Sequence, residues 1–193
     1  DEGTNNEKDF GSGETLTAVA PSVTTALGVT PATHAAVEAI KAVNSGAVPS
    51  GLTTANINLA NTRIATALGI TDVLQPPALV DGSTGTTLDV ADAKGKYALQ
   101  LAALAKLAGT GKTALDVAKD LAKDLSDNKL DGQFDPTAIG GTGAAVPNSA
   151  TSYNDTTVKT ALETQLKAAA TTFGTTETKN LVDSDPTVAG TVP

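Results

Sequence analysis

His34 is the only histidine in these 193 residues, and the chain has no cysteine. Histidine is the side chain whose ordinary pKa places a proton transfer near neutral pH. Any hydroxyl–imidazole–carboxylate triad would therefore be built on His34, with its acid and nucleophile brought from distant parts of the chain. Glu38 lies one helical turn further on, where it can bond or pair with the ring. The lack of thiols removes cysteine nucleophiles, thiolate-bound zinc, iron–sulfur clusters and c-type haem. A single histidine with no acidic cluster beside it in the sequence is not a metal site. These residues predict no catalytic residue and no cofactor.

Three other patterns could carry chemistry. Gly109-Thr110-Gly111-Lys112-Thr113 has the ending of a phosphate-binding P-loop, but the glycine needed five residues before Gly111 is Lys106. The segment also follows a predicted helix, whereas a P-loop follows a strand. The better reading is a tight turn with Thr113 as the next helix cap. Residues 127–135 resemble a calcium loop, with Asp127, Asp131, Gly132 and Asp135 at positions 1, 5, 6 and 9 of the EF-hand pattern. Position 3 is Lys129, a cation where an oxygen ligand belongs, and position 12 is Ala138 in place of the bidentate Glu. A helix-ending turn is preferred, leaving Asp127, Asp131 and Asp135 as a weak calcium candidate only. Asn154-Asp155-Thr156 matches the glycosylation acceptor, a frequent chance match. Carboxylate pairs such as Asp124 and Asp127 exist, but nothing in the sequence marks a cleft around them.

Composition narrows the classes further. The net charge is −8, and half of that excess lies in residues 1–14, where Asp1, Glu2, Glu7, Asp9 and Glu14 face Lys8 alone. A nucleic-acid partner needs a basic patch, so none is expected. The acidic stretch reads as a solvated arm. Only 3% of residues are aromatic, and much of the apolar content is Ala. Burying a Leu or Phe side chain is worth roughly 1.5–3 kcal/mol, so a core rich in Ala gains less per residue and depends on close helix packing or on neighbours. No stretch approaches the ~18 apolar residues of a membrane span. The absence of Cys suits an exported protein. The chain begins at Asp1 and contains no Met, which predicts a processed form or a piece of something longer, most simply one whose signal peptide has been removed.

The elements that would position these residues are helices. Thr30 as cap and Pro31 at the first helical position predict a helix over 30–43, with Ala36, Val37, Ile40 and Val43 on one side. A second is predicted from 53 or 54 to 68, with Ile57, Ala60, Ile64, Ala67 and Leu68 on one face and Gly69 as a left-handed end against which Ile70 packs. A third covers roughly 88–108 with Tyr97, Leu101, Leu104, Leu107 and Ala108 inward, and Gly95 weakens its start. A fourth spans 113–126, with Leu115, Ala118, Leu121, Ala122 and Leu125 inward. Asp116/Lys119 and Asp120/Lys123 are its outer i,i+3 pairs. The short link at 109–112 predicts a hairpin of helices three and four. A fifth spans 155–173, with Val158, Leu162, Leu166, Ala169 and Phe173 inward, Glu163 and Lys167 paired at i,i+4, and Gly174 as its cap. Between the helices lie long Gly/Thr/Pro stretches at 71–87 and 132–152, of a length uncommon in compact domains. The Thr abundance lacks the strict period of an ice-binding helix, and the Thr- and Val-rich tails suit strand pairing or surface glycosylation.

Three segments resemble the Ala-rich helical domain of large bacterial exported lipoproteins and surface proteins. Residues 29–37, VTPATHAAV, resemble that family's VTPLT-x-LAV opening. Residues 52–61, LTTANINLAN, resemble its LTAANIAAAN helix, with Leu68-Gly69-Ile70 where the family has FGI. Residues 97–107 and 124–132 resemble its YALALAALSQLA and DLADGKLDG segments. The likeness covers about residues 27–135. It implies location, and its motifs are packing and capping signatures that carry over no catalytic residue. In that family the helical domain often follows a small β-sandwich, which this sequence lacks. The tail before residue 28 is then a strand remnant or a different arrangement.

The predicted fold is mainly α: an irregular bundle of about five helices with long Gly/Thr/Pro loops and extended, strand-forming tails. The predicted organisation is an acidic N-terminal arm at 1–28, a helical domain at 29–174 and a C-terminal tail at 175–193. The expected function is that of a non-enzymatic structural protein, secreted or at the cell surface. It would be a subunit of a self-assembling filament or layer, a homo-oligomer held together partly by its tails. Strand addition to a neighbour suits such tails, and a contact of that kind that does not close into a ring propagates. The alternative is a monomeric surface lipoprotein or adhesin domain that binds carbohydrate or protein.

Overall fold

A computed structural model describes residues 14–22, 26–79, 88–107, 114–124, 133–134, 146–147 and 158–173. The described residues are mainly helical and form five helices: α1 Pro31–Val43, α2 Thr54–Leu68, α3 Ala93–Leu107, α4 Ala114–Asp124 and α5 Val158–Thr172. Between α4 and α5, β1 Gln133–Phe134 pairs antiparallel with β2 Val146–Pro147. This two-residue ladder falls inside the stretch predicted to be loop.

Local chemistry sets the helix ends. Thr30 is extended and its hydroxyl accepts from the Thr33 N–H, while the Thr33 hydroxyl accepts from the Thr30 N–H at 2.9 Å. This reciprocal capping box, followed by Pro31, starts α1. Thr53 caps α2 by accepting from the Asn56 N–H. Gly69 closes α2 with φ 64°, a backbone state that glycine enters without steric cost, and Ile70 then donates to the Ala65 carbonyl at 2.9 Å as a Schellman end.

α3 starts at Ala93, later than the sequence suggests. Residues 89–92 form a tight turn in which the Asp89 side chain accepts from the Ala91 N–H and the Asp89 carbonyl accepts from the Asp92 N–H. Gly95 is what lets that turn fold back on the helix. A Cβ at this position would run into the Asp89 carbonyl oxygen. The glycine predicted to weaken the helix is thus required by a close backbone approach.

The core lies around α3. Every residue from Tyr97 to Leu104 is buried, so this helix is enclosed on all sides and has no single inward stripe. It packs chiefly on α5 and also on α4, while α1 packs chiefly on α4 and also on α2. Many of the contacting residues are Ala: Ala32, Ala35, Ala36 and Ala39 on α1, Ala60 and Ala67 on α2, Ala102 and Ala103 on α3 are all essentially buried. Val117 and Asp120 join the inner side of α4. That corrects the expectation of Asp120 on the outer face, because α4 is covered from both α1 and α3. The 133–134 and 146–147 pair, residues 71–79 of the predicted 71–87 loop and the turn at 89–92 belong to the non-helical framework. Among the described residues no helix is long and apolar enough to cross a membrane.

Candidate functional site

The polar side chains drawn inside this small-residue core form two ties between distant segments. The first joins the start of α1 to α3. The single proton of the Tyr97 hydroxyl goes to the Val73 carbonyl at 2.9 Å. Its oxygen, 2.5 Å from Thr30 Oγ1, must then accept from the threonine, whose own oxygen accepts from the Thr33 N–H. One continuous relay therefore connects the α1 cap, the loop after α2 and the middle of α3. Burial pushes the Tyr97 hydroxyl well above the usual tyrosine range, so it remains a donor through alkaline pH. The same loop is stitched on both flanks. The Gly28 N–H donates to the Leu74 carbonyl and the Ala78 N–H to the Lys94 carbonyl.

The second tie holds the segment before α1. Residues 14–22 have no helix or strand, and Val19 leans on the core. The Asn61 amide of α2 donates to the Val19 carbonyl at 3.0 Å. Thr17 Oγ1 lies 2.8 Å from His34 Nδ1. The His34 side chain is 6% exposed. Its Nε2 is 3.7 Å from Glu38 Oε1, and that oxygen receives Lys41 Nζ at 2.7 Å. Burial pushes the ring's pKa below the ordinary histidine value. Glu38 pulls it back up, while Lys119 from α4 and Lys41 push it further down.

Thr17, His34 and Glu38 thus line up in the order of a triad. The distances argue for a tie between segments. The carboxylate oxygen lies beyond hydrogen-bond reach of Nε2 and is engaged by Lys41, so it does not hold the ring as the acid of a triad must. The pairing of Glu38 with His34 is legible in the i,i+4 spacing. The approach of Thr17, and the burial of Asn61 against Val19, have no signal in the sequence because both depend on where a segment without regular structure is laid down.

Other predicted site residues fall elsewhere. Asp127, Asp131 and Asp135 lie outside the described residues, as do Gly109–Thr113, Asn154, Asp155 and Thr156. Among the described residues no cluster of three or more metal-ligating side chains occurs. Two buried polar side chains stand apart from both ties. Arg63 on α2 is 1% exposed, and its Nε and Nη2 have no hydrogen-bond partner among the described residues; burial pushes its pKa down. Gln100 on α3 is fully buried with both amide atoms equally without partners there.

In comparisons with protein-family models, curated proteins and solved structures, nothing matches this chain.

Proposed function

We propose that this chain is a non-enzymatic structural protein of the cell surface or extracellular space, a subunit that assembles into a filament or layer through its terminal segments. The observation that carries this reading is the state of residues 15–22. They lie against the helices through two side-chain bonds and the Val19 contact, and among the described residues none of their backbone groups pairs with another backbone group. Apart from the Val19 carbonyl, which the Asn61 amide occupies, a segment held in this way can offer backbone N–H and C=O groups to a strand added from a neighbour. The polar interior supports the same reading, since Tyr97, Thr30, Asn61 and Thr17 are used in joining segments. The surface setting is supported by the resemblance of residues 27–135 to exported lipoproteins and surface proteins, and by the absence of cysteine.

Negative-stain electron microscopy and sedimentation of the purified full chain test this. Regular fibres or sheets are expected. Monodisperse particles near the 19.1 kDa monomer mass would overturn assembly and favour a monomeric domain that binds carbohydrate or protein.

A further inference from the structure

We propose that His34 is a pH latch for the N-terminal segment: with a neutral imidazole residues 14–22 stay docked on α1 and α2, and acidification releases them as the ring takes up a proton. Three observations carry this. The side chain is almost fully enclosed, 6% exposed. One of its nitrogens is bonded to Thr17, inside the segment that would move. The segment is also held by the Asn61 bond to the Val19 carbonyl and by the Val19 contact with the core, and residues 15–22 make no backbone pair with another described residue.

The charges around the ring set the direction. Glu38 favours the imidazolium, but it stands 3.7 Å from Nε2 and is shared with Lys41. Lys41 on the same helix and Lys119 on α4 oppose it, and α4 also carries Asp116 and the inward-turned Asp120. The segment itself contributes Glu14, and the one charged residue of α2, Arg63, lies two positions from Asn61 and so about 200° away around the helix. A buried ring with two lysines in its field and a preoccupied carboxylate holds a proton less well than a solvated one. Undocking hydrates the ring. By linkage, the neutral form favours docking fully above the ordinary histidine pKa of 6.5, and that preference is lost as pH falls from 6.5 toward the lowered value of the docked state. One proton can weaken docking by at most about tenfold per pH unit across that window. The chain has no other histidine, so no second imidazole obscures the effect.

The inference concerns a single chain and stands whether or not chains assemble. The lack of cysteine allows a clean probe. Thr15→Cys, at an exposed position beside the tie, carries a nitroxide label whose mobility is read by electron paramagnetic resonance between pH 7.5 and 5.0. Sedimentation in the same buffers identifies monomers, so that detachment and assembly are scored separately. The mobile fraction is expected to rise several-fold on acidification. It should be constant with pH in the His34→Gln background, where a neutral side chain can still bond Thr17. Thr17→Val should raise it already at pH 7.5. Circular dichroism checks that each variant keeps its helices. Mobility independent of pH in the His34 protein, or an equal pH response after His34→Gln, would overturn the latch.

Discussion

The Tyr97 hydroxyl serves two buried partners, the Thr30 hydroxyl and the Val73 carbonyl. Tyr97→Phe keeps the ring and strands both. An unsatisfied buried group costs about 1–3 kcal/mol, so the variant should lose at least that much in urea unfolding with an unchanged m-value. Arg63 and Gln100 predict the opposite sign. Each is buried with polar atoms that have no hydrogen-bond partner among the described residues. Replacing such groups by apolar side chains of similar volume is often neutral or stabilising, by up to about 4 kcal/mol for charged groups. Arg63→Met and Gln100→Leu should therefore leave the unfolding midpoint unchanged or raise it. A loss of more than about 1 kcal/mol in either would mean that the polar head is paired in solution.

At the scale of elements, the glycines separate two kinds of helix signal. Gly69 acts as its position in the sequence announces, because a left-handed helix end followed by an apolar residue is a local pattern. Gly95 acts in a way that no local rule reports. Its cost as a helix residue, about 1 kcal/mol against Ala, is visible in the sequence, but its use becomes visible only when the Asp89 carbonyl is seen against it. Gly95→Ala should thus destabilise by about 1–3 kcal/mol through overpacking instead of stabilising the helix. Thermal unfolding followed at a helical wavelength gives the sign directly. The stripes show the same division. The stripe residues Ile57, Ala60, Ile64, Ala67 and Leu68 of α2 are buried as the 3.6-residue spacing predicts, and so are Ala36, Val37 and Ile40 of α1, but α1 buries Ala32, Thr33, His34, Ala35 and Ala39 as well. The stripe of α3 is not a stripe, since Ala98, Leu99, Gln100, Ala102 and Ala103 are buried as well. Alanine fits equally well on an inner and an outer face, so an Ala-rich helix does not announce how much of its girth is covered.

For the whole molecule, the question is what the N-terminal segment joins. If assembly runs through the acidic arm, deletion of residues 1–14 should abolish fibres while leaving the helical signal in circular dichroism intact. Assembly unchanged by the deletion would remove the arm from the interface. The core gains little per buried Ala, and neighbouring subunits would add the area it lacks. Assembled protein should therefore unfold at a higher temperature than dilute protein, because only the folded state takes part in the contact. A melting temperature independent of concentration would contradict assembly as a source of stability.

The sequence alone determined that the molecule is helical, where α1 and α2 begin and where α2 ends, and that His34 stands alone among groups that titrate near neutrality. These are local matters: a threonine beside a proline, a glycine after a stripe, the presence or absence of a side-chain type. The enclosure of α3 over Tyr97–Leu104, the inward turn of Asp120, the carbonyl against Gly95 and the ties of Thr17 and Val19 to His34 and Asn61 came from packing. Each of these depends on contacts between segments far apart in the chain. A sequence rich in alanine and threonine says little about such contacts, because side chains this small fit against nearly any neighbour and leave the choice to the packing of the whole.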